Sequence, residues 1–427
     1  TAERTLNKVS GKIINIKSAP QLRDLFYGKL RMKVTKKTPK GAPSTDAETL
    51  EKWAEKGVKE ARLVLRHRKV QKIESTYVSG ILKALDKNNR LHGSLNQHVT
   101  KTGRLSSSEP NMQNFPRASS DEFKIRKAFI ARPGYKFVSG DYSQLEMYLM
   151  AHWSGDPSMK KAILSGRDIH ASNAAMIWSV PYKDVVAAVK RKDSGQPLSD
   201  YDRLLLGYRQ YAKTICFGLL YGKGPVKLAN ELELEAKVLT DAKASGKKIT
   251  KKNAFFGSIR LAKELTRKFF DGIPKAEEFI LKTHERAAET KYVETIAGRR
   301  RWLRSILDVE EQDSHQYDAH MKGNNACHCS ACRDCREGLR QAVNTIIQGS
   351  AADVVQEAMI RLHEDEDLIG CNMLFQVHDE VNFEVPDEIL IDACKKIKWD
   401  MENCGITGIN VPLLVEPGYG NSWVDAH

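Results

Sequence analysis

The 427-residue chain has no apolar run long enough to cross a bilayer, and no basic-then-apolar leader opens it. A membrane-spanning class is therefore not expected, and the chain is expected inside the cell. Its first residue is Thr1, so it reads as trimmed, and an organelle is left open. Eight cysteines are too few and too unevenly spread for a secreted disulfide framework. Four of them crowd into residues 327–335, while Cys216, Cys371, Cys394 and Cys404 stand singly in apolar or mixed contexts, as buried thiols usually do. Internal repeats and heptads are missing, which argues against solenoids and coiled coils. Acid is also in deficit: 54 Asp and Glu face 68 Lys and Arg, a formal net charge of +14. Such an excess favours a polyanionic partner, nucleic acid first and an anionic membrane surface second. What remains, 41% hydrophobic and 29% charged, suits a globular protein of two or three domains.

The first hundred residues read as helical and basic. Asp46-Ala-Glu48 matches the D-x-E of some nucleases, but acids are favoured at a helix N-terminus by the dipole. Residues 91–117 break into polar loop, followed by strand-like "YKFVSGDY" and helix-like "SQLEMYLMAHWSG". Helices are expected on to about residue 290, interrupted by basic connectors such as "KRKDSGQPLSD" and "KASGKKITKKN" that read as exposed loops or insertions. Segment 304–336 is acidic, then rich in His and Cys, and reads as another insertion.

The run "LFQVHDEVNFEV" (374–385) places Asp379 and Glu380, with His378 beside them, where two apolar strands meet. Charge there is costly to desolvate, so these acids are either a hairpin tip or a site. Asp141 ends "YKFVSGDY", and Ser143 to Glu146 spells a capping box for the next helix. An acid at a strand-to-helix junction and another at a strand pair can bridge two divalent cations, the arrangement used for in-line phosphoryl transfer. Oxygen donors point to Mg²⁺.

In "GYRQYAKTICFGLLYG", Arg209, Lys213, Phe217 and Tyr221 recur every four residues. On a helix each such step turns only about 40°, so the four make one stripe about 18 Å long. Two cations followed by two aromatics suit a nucleoside triphosphate; an amphipathic helix with core aromatics is the alternative. "CHCSACRDC" supplies Cys327, Cys329, Cys332 and Cys335, which read as a zinc site, as an iron–sulfur run, or as reduced loop thiols.

Taken in order, "TGRLSSSEPNMQNFP" (102–116), "DYSQLEMYLMAHWSGD" (141–156), "RQYAKTICFGLLYG" (209–222), "RQAVNTIIQGSAAD" (340–353) and "QVHDEVNFEV" (376–385) resemble the polymerase region of family A DNA polymerases. "STDAETLEKWA", "KIESTYVSGIL" and the terminal "GNSWVDAH" are similar too, so the likeness runs from roughly residue 11 to the end. The resemblance implies an α+β right-hand fold. Residues 1–14 would edge an antiparallel-sheet palm, 15–93 would form a helical thumb, and 94–155 would return to the palm. The fingers would span 156–336, with the Cys-rich loop at 304–336, and 337–427 would complete the palm.

It implies primer-dependent synthesis of DNA from dNTPs. Asp141 and Asp379 would carry two Mg²⁺ ions, with Glu380 nearby. Arg209 and Lys213 would hold the triphosphate, Lys213 as candidate proton donor, and Phe217 and Tyr221 would face sugar and base. His170 would approach the phosphates, and Glu146 would block a ribose 2′-OH. Arg104, Asn344 and Gln348 would follow the minor groove, with Arg340 and His378 also against DNA. Phe217 in place of Tyr implies discrimination against dideoxynucleotides. Cys216 stands where many relatives have Asn, a departure that bears on the details of nucleotide contact, and connectors longer than in compact bacterial members (near 181–203 and 237–256) suggest a viral or otherwise divergent relative. A monomer is expected, working with a helicase, primase or processivity factor, and without a 3′–5′ exonuclease in this chain. A single-subunit RNA polymerase and an inactive nucleic-acid-binding protein are the alternatives.

Overall fold

Tyr135–Tyr142, buried on both faces from Phe137 to Gly140, is a strand (β1) of the computed structural model, which describes residues 2–116, 122–308 and 330–427. A short hairpin follows, Tyr292–Glu294 (β2) with Arg300–Trp302 (β3). Then come Asn372–Val377 (β4), Glu380–Pro386 (β5) and Val415–Gly420 (β6). The main sheet runs β4-β5-β1-β6, every neighbour antiparallel.

Two faces of this sheet are covered differently. Val138, Val381 and Phe383 turn to one side, where helix α7 (Leu390–Glu402) lies so close that a Cβ on Gly140 would meet Met401 Sδ at 2.6 Å. The neighbour of Asp141 therefore has to be glycine. On the other side the C-terminal segment folds back: Trp423 is fully buried against Phe137 and Phe375, with the Arg126 guanidinium 4.0 Å from its ring centroid.

The remaining helices that position the site are α1 (Leu145–Ser154), α2 (Ile169–Trp178), α3 (Asp200–Leu220), α4 (Lys251–Gly272), α5 (Pro274–Thr290) and α6 (Ser330–Glu364). Helix α3 is started by a full capping box between Ser199 and Asp202 and buries Leu205, Ala212, Ile215, Cys216 and Leu219. That leaves Arg209 and Lys213 outside the core.

The basic connectors are less loop-like than expected. Lys190–Asp193 close a helix, Tyr182–Asp193, because Val185 and Ala188 give it a buried stripe. Lys251–Asn253 open α4, capped by Thr250 on the Asn253 N–H at 3.2 Å. Among the described residues no helix is long and apolar enough to cross a membrane.

The chain divides into two units, this one (Leu95–Ser106 with Pro116–His427) and a first (Thr1–Ser94 with Ser107–Phe115). The first unit is helical around Leu6, Ile14, Leu22, Phe26, Leu50 and Trp53, so the segment expected at the palm edge places Leu6 and Ile14 in this core. Asp46 is a helix cap there, accepting from the Thr49 N–H at 3.0 Å, as its dipole reading requires.

Candidate active site

Asp379 occupies a two-residue turn between β4 and β5, and His378 before it takes φ 58°, the left-handed conformation that lets so short a loop reverse the chain. Glu380 is the first residue of β5 and stands opposite Asp141 in register. Asp141 in turn stands opposite Glu416 on β6, an acid that the sequence reading passed over because "LLVEPGYG" carries no obvious pattern. Three antiparallel strands thus bring four carboxylates to one edge of the sheet.

Their environments differ. Asp141 stands at the exposed lip of the sheet, yet protein atoms crowd its carboxyl on the remaining sides. That burial, then the charges of Glu380 and Asp379, push it up to about 6. Among the described residues no cation lies within ion-pair distance of it. Glu380 is buried, which alone would raise it. The His427 and Trp423 hydrogen bonds outweigh that and hold it below the usual carboxylate range. Trp423 Nε1 donates to Oε1 at 2.9 Å, and His427 Nε2 lies 3.0 Å from Oε2. Both partners belong to "GNSWVDAH", a stretch noted only for its likeness, with no role attached.

Asp379 accepts from the Arg104 guanidinium at 3.2 Å, and the same nitrogen donates to Glu146 at 2.7 Å. The capping box expected from Ser143 and Glu146 does not form. Gln144 adopts φ 51° ahead of α1, no side chain caps the helix, and Glu146 takes the stronger charged partner. Burial raises the Glu146 carboxyl despite Arg104 and a hydrogen bond from Gln348. Arg104, Glu146, Gln348 and Asp379 therefore form one continuous polar group.

The stripe on α3 holds as a helix to Leu220, with Tyr221 at its cap. Phe217 and Tyr221 stack with centroids 6.4 Å apart, and the His170 ring lies 5.7 Å from Phe217. His170 is buried with Nδ1 unpartnered, and desolvation, despite Asp168, brings it down to about 4; it is neutral at pH 7. Asp168, unremarked in the sequence, caps α2 through the Ala171 N–H and receives the Arg209 Nε at 2.8 Å. Lys213 is exposed between these groups. Cys216 faces away, its Sγ 3.3 Å from Met147 Sδ, which rests the back of α3 on the helix carrying Glu146. Burial pushes that thiol up to about 12, so it is an inert packing group.

At the far end of the stripe, a Cβ on Gly222 would meet Arg340 Cγ at 2.6 Å, so the end of α3 abuts α6. Asn344, one turn along, has a buried Oδ1 without a partner. Arg340 pairs with Glu337.

Among the described residues no three His, Cys, Asp or Glu side chains converge to hold an ion unaided. Asp141, without a cationic partner among the described residues, and Asp379, whose Arg104 partner is shared with Glu146, still fit a hard divalent cation, because Mg²⁺ is commonly held by one or two carboxylates and completed by ligand phosphates and water. Of the cysteine run, Cys327 and Cys329 lie outside the described residues. Cys332 and Cys335 start α6 and are fully buried, with Cys335 Sγ accepting from the Leu307 N–H at 3.3 Å.

The charge at Asp141 has a measurable consequence. A carboxyl raised to about 6 destabilises the fold above that pH, and the cost disappears as the pH falls toward the ordinary value near 3.8. In metal-free buffer at pH 7.5, Asp141→Asn is expected to raise Tm by roughly 1–3 °C, an advantage that shrinks at pH 4.5. Conversely, divalent-ion affinity of the wild-type chain falls below pH 6, because the proton competes for the ligand. Calorimetry at the two pH values and a metal titration check both signs; an Asp141→Asn chain less stable at pH 7.5 contradicts them.

The family model for DNA polymerase family A matches residues 1–425. DNA polymerase I of Pseudomonas aeruginosa is 32% identical over 428 residues, covering all of this chain and 40% of that protein. The thermostable DNA polymerase I of Thermus aquaticus is 32% identical over 430 residues, 99% of this chain and 43% of that one. The chain thus spans about two fifths of the curated relatives' length. Among solved structures, the polymerase domain of Pol1 from M. smegmatis, in complex with DNA primer-template and dNTP, superposes with a TM-score of 0.77. It is 31% identical and covers all of this chain and 64% of that one.

Proposed function

Since this chain belongs to DNA polymerase family A, we propose that it extends a primer on a DNA template by nucleotidyl transfer from dNTPs, with Mg²⁺ as the metal. The observation that carries this reading is the meeting of Asp141 and Asp379 at one edge of the sheet, where no cation among the described residues pairs with Asp141 and Asp379 is held by Arg104, a group shared with Glu146. Family A polymerases conventionally use divalent ions; held here by Asp141 and Asp379, they would supply stabilisation of the attacking and leaving oxygens.

The protein's own groups divide the remaining work. Arg209 and Lys213 bind the triphosphate, and Lys213 Nζ gives a proton to the departing pyrophosphate. His170, neutral, serves as a hydrogen-bonding group beside the phosphates rather than as a third cation. Phe217 and Tyr221 offer their faces to sugar and base. Arg104 is held between Glu146 and Asp379 in the free chain and leaves them for the minor groove, where the amide N–H groups of Gln348 and Asn344 join it as donors. Such contacts test pair geometry without reading sequence, because the minor-groove acceptors are nearly alike for every pair. Arg340 and His378 would contact the template or primer strand beside this track.

Extension of a labelled primer with Mg²⁺, run with dNTPs and separately with rNTPs, tests the proposal. Extension with dNTPs alone, lost in Asp379→Asn, is the expected result. Primer–template binding without extension would leave a binding protein, and efficient use of rNTPs would reopen the RNA polymerase reading. Glu146→Ala is expected to narrow the dNTP-over-rNTP preference by about 10²-fold, since a buried polar group that rejects the 2′-OH is removed. The ratio of kcat/KM for dGTP and GTP measures it. An unchanged ratio would reduce Glu146 to an anchor for Arg104.

A further inference from the structure

The hairpin β2–β3 carries a surface that polymerase chemistry does not use. Its sequence, "GRRRWLR" from Gly298, alternates sides as a strand must. Arg299 and Arg301 point inward. Arg299 donates to Asp353 at 2.8 Å and to the Thr102 carbonyl at 2.9 Å, and Arg301 donates to Thr345 Oγ1 at 2.7 Å and to Gln341 on α6. Arg300 and Trp302 are left on the outer face.

There Trp302 is 57% exposed, one of the large apolar side chains the fold does not cover. Tyr292 stands opposite it in register, with ring centroids 5.1 Å apart. The Arg300 guanidinium lies 4.8 Å from the Tyr292 centroid, and Arg304 lies 5.9 Å from that of Trp302. Arg300 is also tied to Glu294 at 2.7 Å, whereas no described carboxylate pairs with Arg304. An exposed Trp302 ring beside the half-buried Tyr292, flanked by guanidinium groups, satisfies both halves of an unpaired nucleotide: a flat face for the base and positive charge for the phosphate. Bases inside a duplex are already stacked and offer such a ring nothing.

The inward arginines fix where this platform sits. Gln341 and Thr345 each follow by one residue a group proposed to touch the duplex, Arg340 and Asn344. The ribbon therefore flanks the duplex track instead of lying at a remote surface. We propose that Trp302, with Tyr292, Arg300 and Arg304, is a stacking platform for single-stranded DNA, namely the unpaired template overhang next to the copied duplex. The location as template overhang rests on the polymerase reading; the single-strand binding does not.

The test is fluorescence anisotropy at fixed salt with three labelled DNAs: a flush duplex, the same duplex with a ten-nucleotide 5′ template overhang, and the free single strand. For the wild-type chain the overhang is expected to tighten Kd by about tenfold, a typical worth for one or two stacked bases. Trp302→Ala should reduce that gain to about twofold or less while leaving flush-duplex binding unchanged, and Trp302→Phe should keep most of it. Arg304→Ala should lower the salt dependence of single-strand binding. An overhang gain equal in wild type and Trp302→Ala overturns the proposal. Single-strand binding that depends on Trp302 in a chain that extends no primer would uphold the platform and sink the polymerase reading.

Discussion

Asp379→Asn is expected to lower the single-turnover rate of primer extension by about 10³-fold or more, with primer–template Kd changed by less than about threefold. The substitution is nearly isosteric, and the amide oxygen can still accept from Arg104, which lies 3.2 Å from the present carboxylate. The two-residue turn, set by His378 at φ 58°, also stays intact. What is lost is one full negative charge at the sheet edge, half of the anionic pair proposed to hold the divalent ions. Rapid-quench rates at several Mg²⁺ concentrations, with anisotropy for binding, separate the two effects. A mutant within tenfold of wild type at saturating Mg²⁺ would remove Asp379 from the catalytic set and leave it as an anchor for Arg104.

Lys213→Ala is expected to cost about 10²–10⁴-fold in the same rate, the usual worth of a positioned general acid, on top of weaker dNTP binding. Charge and proton transfer can be told apart with Lys213→Arg. A guanidinium keeps the positive charge but does not release its proton at working pH. The arginine variant should therefore recover most of the dNTP affinity and little of the rate. Geometry favours this split: Lys213 lies one turn from Arg209, which Asp168 holds, and one turn from Phe217, which packs by His170. A Lys213→Arg chain with wild-type rate would assign the residue to binding alone.

Both predictions concern residues visible in the sequence, but their partners were not. The four-residue spacing of Arg209, Lys213, Phe217 and Tyr221 showed a stripe, because helical geometry is local and periodic. Asp379-Glu380 between two apolar runs showed a turn carrying acids, for the same reason. By contrast, Asp168 as the seat of Arg209, Glu416 as the fourth carboxylate, and Trp423 and His427 as the clasp on Glu380 depend on chain segments far apart in sequence. The S-x-x-E pattern at Ser143 misled for a related reason. It is a local signal, and a distant guanidinium, Arg104, offered Glu146 a stronger bond than the helix N-terminus did.

The sequence by itself therefore determined the family, the α+β composition, the basic character and the identity of the groups proposed for chemistry, since each follows from residue type and short-range spacing. Only the tertiary structure decided which carboxylate is left charged and unpaired, which is buried and clasped, and which has been claimed by an arginine. Burial and pairing, not residue type, set the free energy of a charge, and both are properties of strand register and packing that no local pattern encodes.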